Sequence, residues 1–429
     1  MSNATNWGPL LKRTFGNPVD PIASDDTIAS DIDFVPQEKK PGEKYTFPVR
    51  LQHEGGATYN SDHSAFTIGA AIDSVEKTAE LEGAEIAVYG NIPTGMMTKM
   101  NASKGESGRA YDQAMGRKLV YLMEAAELRR EIALLYGAGA AGLANLGVVE
   151  AVATPAAAGV VTVSITRASY IGGLWPQMIG LPFDFFTGGG TPHNVGFAMT
   201  LTGVNKSNTR LTFTSAQAPT NTEAATILQG DQIFFRGSRA TSCVGLQAIL
   251  ENTGSLFGIS AATYPQWKAE TSSVGGNLTF DKVVEGLAGA SENGASDGVT
   301  LYVSGRQWTD LMTDEAALVR RMKDDQKSYK RGANSIEFES LVGPIKIKVH
   351  RYMKQGIAMA ITTGDANRVG STDITFRAPG SKNEWFYREL DTQMGCQVRC
   401  YQDQGLVLEK PFHCTLFTSI TSSTDLIPA

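Results

Sequence analysis

Gly137-Ala-Gly139-Ala-Ala-Gly142 has the G-x-G-x-x-G spacing that lets a backbone approach a pyrophosphate at the start of a helix. In a dinucleotide site that string follows a strand, whereas here it follows the strongest helical stretch of the chain. The competing reading is a helix stop and a turn, and no G-x-x-x-x-G-K-[ST] phosphate loop accompanies it. Cys396, Cys400, His413 and Cys414 are four zinc-type ligands, but C-x3-C followed by H-C is not a zinc spacing. Positions 396 and 400 of one strand share a face and would pack inward. His53, His63, His193, His350 and His413 are scattered, and no serine stands in a G-x-S-x-G elbow. No nucleophile, base and orienter come together in sequence, and His350, at the end of an alternating strand, reads as structural. Asp25-Asp26 and Asp324-Asp325 read as solvated pairs. Arg320, Arg321, Lys323, Lys327, Lys330 and Arg331 form a basic cluster interrupted by acids, with Tyr329 its one aromatic. That pattern reads as a surface loop that could face a polyanion, not as a dedicated nucleic-acid site. No cofactor and no metal is expected, and the chain is not expected to be an enzyme.

The elements around these residues are more informative. From Met1 to about Arg50, six prolines break every helical period, yet Trp7, Leu10, Leu11, Phe15, Phe34, Tyr45 and Phe47 are too apolar for a solvated linker. Residues 51–104 contain β-compatible pieces, Ala65 to Ile68 and Ala84 to Tyr89, and read as a long two-stranded loop that is marginal alone. Glu106 to Tyr136 carries a drifting apolar stripe and ends at Gly137, which predicts a helix of roughly 45 Å at 1.5 Å per residue. From Ala153 to Arg239 the runs at 160–165, 197–202, 210–214 and 232–235 predict a β-rich block. After Ser242 helix and strand alternate. Thr279 caps a helix with Val283, Val284 and Leu287 on one face, Val299 to Val303 is a strand, and Ser304 opens a helix with Trp308, Leu311 and Met312. Ile345 to His350 alternates at period two and Gly356 to Thr362 continues apolar, predicting a hairpin-like pair.

With 429 residues the chain exceeds one core, and 42% hydrophobic residues exclude global disorder. The 38 basic and 44 acidic residues leave a formal charge of −6, which supplies no net attraction for phosphate backbones. No run reaches the ~20 apolar residues of a membrane span, no apolar stretch follows Lys12 and Arg13 as a secretory signal requires, and four cysteines suit a reducing compartment.

Three strings, in order, resemble the major capsid proteins of tailed bacteriophages, the HK-ninety-seven-like fold family. They are Gly245-Leu-Gln-Ala-Ile-Leu250 with Thr263-Tyr-Pro-Gln-Trp267, then Leu301-Tyr-Val-Ser-Gly-Arg-Gln-Trp-Thr-Asp-Leu311, then Leu341-Val-Gly-Pro-Ile-Lys-Ile-Lys-Val349. The resemblance implies an α+β fold. It consists of an N-terminal arm (1–50), an extended β-hairpin loop (51–104), a peripheral domain with a spine helix (105–152), an axial domain (241–335), and peripheral strands returning to the axial domain (336–429). The block at 153–240 departs from the minimal pattern and looks like a β-rich insertion.

The resemblance further implies self-assembly as pentamers and hexamers into an icosahedral shell around double-stranded DNA, contacted without sequence specificity. Its partners would be other copies, a scaffolding protein, a portal and a decoration protein, with no membrane. The chain would reside in the virion after assembly in the host cytoplasm. Tyr45, Phe47, Ile86, Tyr89, Met96 and Met97 are the residues expected at contacts between subunits, with packing inside one subunit the competing account. Alternatives are an encapsulin-like cellular shell, a dinucleotide-binding enzyme using Gly137 to Gly142, and an adhesin displaying the β block.

Overall fold

The computed structural model describes residues 28–36, 44–61, 65–81, 83–95, 106–137, 144–157, 159–193, 198–215, 227–313, 335–378, 386–391 and 393–421. Helix and strand are mixed throughout, as an α+β chain requires.

The first described elements are a short helix α1 (Ile28–Asp31) and strand β1 (Phe34–Pro36). Strands β2 (Tyr45–Gln52) and β3 (Val75–Leu81) pair antiparallel, Tyr45 opposite Leu81. Strand β4 (Ala84–Pro93) follows, then the 31-residue helix α2 (Glu106–Tyr136), whose bounds match those read from its periodicity. Leu122 and Ala126 form its buried face, and from Glu131 to Gly137 every residue is buried.

Strands β5 (Gly147–Ala157), β6 (Val160–Ile165), β7 (Pro182–Phe186), β8 (Met199–Asn205), β9 (Arg210–Ser215) and β10 (Gln232–Phe235) close into a barrel of order β10-β5-β6-β9-β8-β7. Period-two alternation sends Val161, Val163, Phe183, Phe185, Leu201, Leu211 and Phe213 inward, all without solvent contact. Phe213 meets Phe183 and Phe185 edge-on, with centroids 5.8 and 5.0 Å apart. The barrel has no separate core, because these side chains are continuous with Leu134, Leu135 and Tyr136 of α2 and with Leu246 and Ile249.

Helix α3 (Leu246–Leu250) comes next, then the two-residue strands β11 (Ser255–Leu256) and β12 (Ile259–Ser260), and β13 (Glu270–Gly276). Helices α4 (Phe280–Gly286) and α5 (Ala288–Glu292), strand β14 (Val299–Val303), helix α6 (Gly305–Thr313) and strands β15 (Ser335–Ser340), β16 (Gly343–Val349) and β17 (Ala358–Ile361) follow. Thr279 caps α4 by accepting from the Lys282 N–H, and β14 is buried at all five positions, as a strand covered on both faces must be. The sheet order is β13-β21-β17-β14-β16-β15, with β21 at Thr415–Ile420. The predicted pairing of 345–350 with 356–362 is therefore corrected. β16 and β17 flank β14 on opposite sides, β16 parallel to it and β17 antiparallel.

A second sheet has the order β1-β18-β20-β19, with β18 at Ala366–Thr375, β19 at Tyr387–Glu389 and β20 at Gly395–Leu408. β4 joins it by pairing with β20 from Gly395 opposite Pro93 to Gln404 opposite Ala84. The stretch 84–89 is thus a strand, as read, but it belongs to this sheet and not to a two-stranded loop. Among the described residues no strand is assigned at 65–68. Helix α2 crosses the sheet where Gly90 leaves room for Lys118 and Leu122.

Gly137 stops α2, its N–H bonding the Ala133 carbonyl at 2.8 Å. A Cβ at Gly137 would stand 1.9 Å from the Cys243 carbonyl oxygen, and one at Gly245 would stand 2.4 Å from the Gly137 nitrogen. The two glycines let the end of α2 touch the start of α3. Gly137→Ala is expected to lower the stability of the fold by about 1–3 kcal/mol, the cost of forcing packed backbones apart, measured by urea denaturation; an unchanged midpoint would contradict this packing. Residues 138–143, with Gly139 and Gly142, lie outside the described residues.

Candidate assembly site

Two segments are candidates for contact with a second copy, and they differ in how much their own chain covers them. The first is the segment 28–36. α1 is too short to hold itself together, and its apolar side chains, with Ile32 just beyond it, supply what it lacks. Ile28, Ala29 and Ile32 enter the main core. The open N–H groups at its start need acceptors, and Glu131 of α2 provides them. Oε1 accepts from Ile28 N at 2.6 Å and Oε2 from Ala29 N at 3.3 Å. Glu131 Oε1 also meets His350 Nε2 at 2.8 Å, and both side chains are almost fully buried. This gives His350 the structural role read from its place at the end of a strand.

Asp31 ends α1. The Tyr302 hydroxyl of β14 donates to Asp31 Oδ2 at 2.6 Å, and Lys348 of β16 pairs with Oδ1. Burial, then the Asp31 and Glu131 carboxylates, push the Tyr302 phenol well above its ordinary range. Arg368 of β18 completes the clasp, its backbone N–H donating to Asp33 O and its Nε to Ile32 O, both at 2.9 Å. β1 runs parallel to β18 beside it. One short segment thereby spans α2, the six-stranded sheet and the second sheet.

Behind the clasp, Arg368 and Arg130 converge on Asp373 at 3.4 and 2.9 Å. Burial raises the Asp373 carboxyl, but the Ile374 N–H and the two guanidinium groups outweigh it and hold the pKa below the ordinary carboxylate value. A depressed carboxylate contributes stability above its unfolded pKa of about 3.9, and that contribution is lost as pH falls through the folded value. Asp373→Asn is expected to lower the Tm at neutral pH and to shrink the fall in Tm on acidification below about pH 4. Identical acid limbs for parent and variant would refute the assignment.

The second segment is the loop between β2 and β3. At its base Tyr45, Phe47 and Leu51 face Ala79, Ile259, Trp267, Val369 and Val407. Phe47 lies 6.3 Å from Trp267 between ring centroids. Beyond Gln52 cover ends. Every described residue from Gln52 to Asp73 is exposed except half-buried Asn60. The two limbs hold each other through Gly55 N to Ile72 O at 3.0 Å and Gly69 N to Thr58 Oγ1 at 2.9 Å. Tyr59 is 94% exposed and Ile68 79%, with Phe66 and Ile72 above half. Glycines and short side chains leave the limbs nothing of their own to bury against.

Of the residues expected at subunit contacts, Tyr45 and Phe47 are buried within their own chain at the base of the loop, the competing account for these two. Ile86 is partly buried against the main core, Tyr89 is 65% exposed on β4, and Met96 and Met97 lie outside the described residues. The exposed apolar side chains of the loop, Tyr59, Phe66, Ile68 and Ile72, are not among those expected residues. The signal was available, since Phe66, Ile68, Ala70 and Ile72 alternate at period two with no facing apolar strand to cover them. Val120, Tyr121 and Met123 add an outward apolar strip on α2.

The other candidate chemistry disperses. His413 Nδ1 faces Asp365 at 3.3 Å, and His193 pairs with Asp231 at 2.9 Å. Burial holds the Cys400 and Cys414 thiols up at about 11 and about 12, far from thiolate or ligand character. Among the described residues no His, Cys, Asp and Glu cluster could hold a metal, and no helix is long and apolar enough to cross a membrane. The basic cluster at 320–331 and the paired acids at 25–26 and 324–325 lie outside the described residues.

No family model matches the sequence, and no curated protein matches it. Among solved structures, the chain is similar over 95% of its length to 98% of a chain in the capsid asymmetric unit of cyanophage A-1(L), at 10% identity and a TM-score of 0.49. It is similar over 97% of its length to 98% of a chain in the capsid of a native GTA particle, at 8% identity and a TM-score of 0.47. Over 98% of its length it is similar to 99% of a chain of Mycobacterium phage Adephagia, at 11% identity and a TM-score of 0.42.

Proposed function

We propose that this chain is a major capsid protein of the HK-ninety-seven-like fold, self-assembling as pentamers and hexamers into an icosahedral shell. The observation that carries the reading is the loop at 53–74. Its described residues carry four large apolar side chains in water, and its base is an aromatic cluster buried in the body. Covering Tyr59, Phe66, Ile68 and Ile72 on a neighbour would contribute about 1.5–3 kcal/mol apiece on full burial. Contacts of that size are weak singly and decisive when repeated around a closed shell.

In this reading α2 and the second sheet form the peripheral domain, the six-stranded sheet with α4, α5 and α6 the axial domain, and the barrel an insertion fused to the helix end. The shell would enclose double-stranded DNA without reading its sequence, in keeping with a net charge of −6. A scaffolding protein, a portal and a decoration protein would be its partners, and the virion its location after assembly in the host cytoplasm. The work is structural, not catalytic. Negative-stain electron microscopy of the purified chain tests the reading: closed particles of uniform size are expected, and a monomer at high concentration with or without scaffold would overturn it.

A further inference from the structure

The turn between β16 and β17 ties several parts of the fold together. Its Gln355 N–H donates to the Tyr170 carbonyl at 3.3 Å and its Gly356 N–H to the Ala168 carbonyl at 2.8 Å, which fastens it to the stretch between β6 and β7. Gln307 of α6 donates through Nε2 to the Gln355 and Ile357 carbonyls at 3.0 and 2.9 Å. At the end of α2 the Tyr136 hydroxyl accepts from Lys354 N at 2.9 Å and donates to Tyr352 O at 2.8 Å. Within this joint stands an amine that the shell reading does not use. Lys354 is 3% exposed, and its Nζ donates to the carboxamide oxygen of Gln247 in α3 at 2.8 Å, with the centroid of the Tyr136 ring 4.5 Å away. Both of those neighbours are uncharged. Glu251 Oε1 accepts from Gln247 Nε2 at 2.7 Å, so its charge reaches the amine only across that amide.

We propose that Lys354 is a proton switch for this joint, closed while its amine is neutral and loosened when the amine takes up a proton. A buried ammonium has to be paired or hydrated, and here it meets only an amide oxygen and an aromatic face. The neutral amine keeps its bond to Gln247 without that cost. Burial brings Lys354 down to about 7, with Glu251 opposing the shift. The other titratable groups of the joint are engaged elsewhere: His350 with Glu131, Tyr352 with Arg351 and Gln177, Cys243 with the Ala133 carbonyl, and Tyr170 with the Arg306 charge of α6. Burial holds the Tyr136 phenol far above its ordinary range, so it stays protonated. In the unfolded chain a lysine keeps its proton up to about 10.4. Between about pH 7 and pH 10 the unfolded chain therefore binds more protons than the folded one, and the joint gains stability as pH rises through that window and loses it as pH falls.

Peptide-resolved hydrogen exchange of the full chain at about pH 8.5 and about pH 7.0 tests the switch, with rates corrected for the intrinsic pH dependence of exchange. Amides of 246–251 and 353–357 are expected to lose protection about tenfold at the lower pH. Lys354→Met has no proton to take up and is expected to show equal protection at both. Glu251→Gln, at a half-buried position outside the core, removes the carboxylate that attracts the ammonium and is expected to move the loss to lower pH. Equal protection of the parent at the two pH values would overturn the proposal, and so would a tenfold loss between them that persists unchanged in Lys354→Met or in Glu251→Gln.

Discussion

Glu131→Ala is expected to cost the folded chain about 3–5 kcal/mol, because it leaves several buried polar groups without a partner at about 1–3 kcal/mol each. The substitution strands the Ile28 and Ala29 N–H groups and leaves His350 facing a void inside the core. Since α1 has no other acceptor for those donors among the described residues, residues 28–32 should lose their amide-exchange protection before the rest of the chain does. Glu131→Gln keeps one acceptor oxygen and should fall between parent and alanine. Urea denaturation with peptide-resolved hydrogen exchange reads both effects. A midpoint within error of the parent, with 28–32 still protected, would show that the clasp contributes nothing.

The opposite outcome is expected at the loop. Phe66→Asp, Ile68→Asp and Ile72→Asp combined should leave the unfolding free energy of the isolated subunit within about 0.5 kcal/mol, as for surface positions without partners. The same variant should fail to form closed particles at concentrations where the parent assembles. Each aspartate removes apolar burial at the contact and adds a charge that the contact must desolvate. Normal particles from the triple variant would remove the loop from the assembly mechanism. Truncation within 28–36 is a poor test of assembly by comparison, because it damages the core that Ile28 and Ile32 complete.

How legible this molecule is depends on whether a signal is local. Helix α2 declares itself through period, length and a terminal glycine, and β6, β10 and β14 through short β-branched or aromatic runs. Alternation identifies a strand but not its partner. Thus 84–89 reads as half of a hairpin, while β4 actually pairs with a strand some three hundred residues later. For the same reason 345–350 and 356–362 look like mates, although β14 lies between them. β7 escapes notice because Pro182 and Asp184 interrupt its apolar run. The clasp is the least legible part, since a four-residue helix has no period, and Glu131, His350 and Arg368 become neighbours only through tertiary packing. In the candidate site the base of the loop and its limbs carry similar apolar residues, and what separates anchored from free is the distant set Ile259, Trp267, Val369 and Val407 that packs on the base.

The barrel draws on the same packed interior as the end of the long helix, and Arg129 of that helix rests 3.7 Å over the Phe235 ring. It is therefore no detachable cassette. Cutting it out would open the host's own heart, and a chain engineered to display foreign peptides should carry them at the exposed turn between β8 and β9, around Lys206 to Asn208.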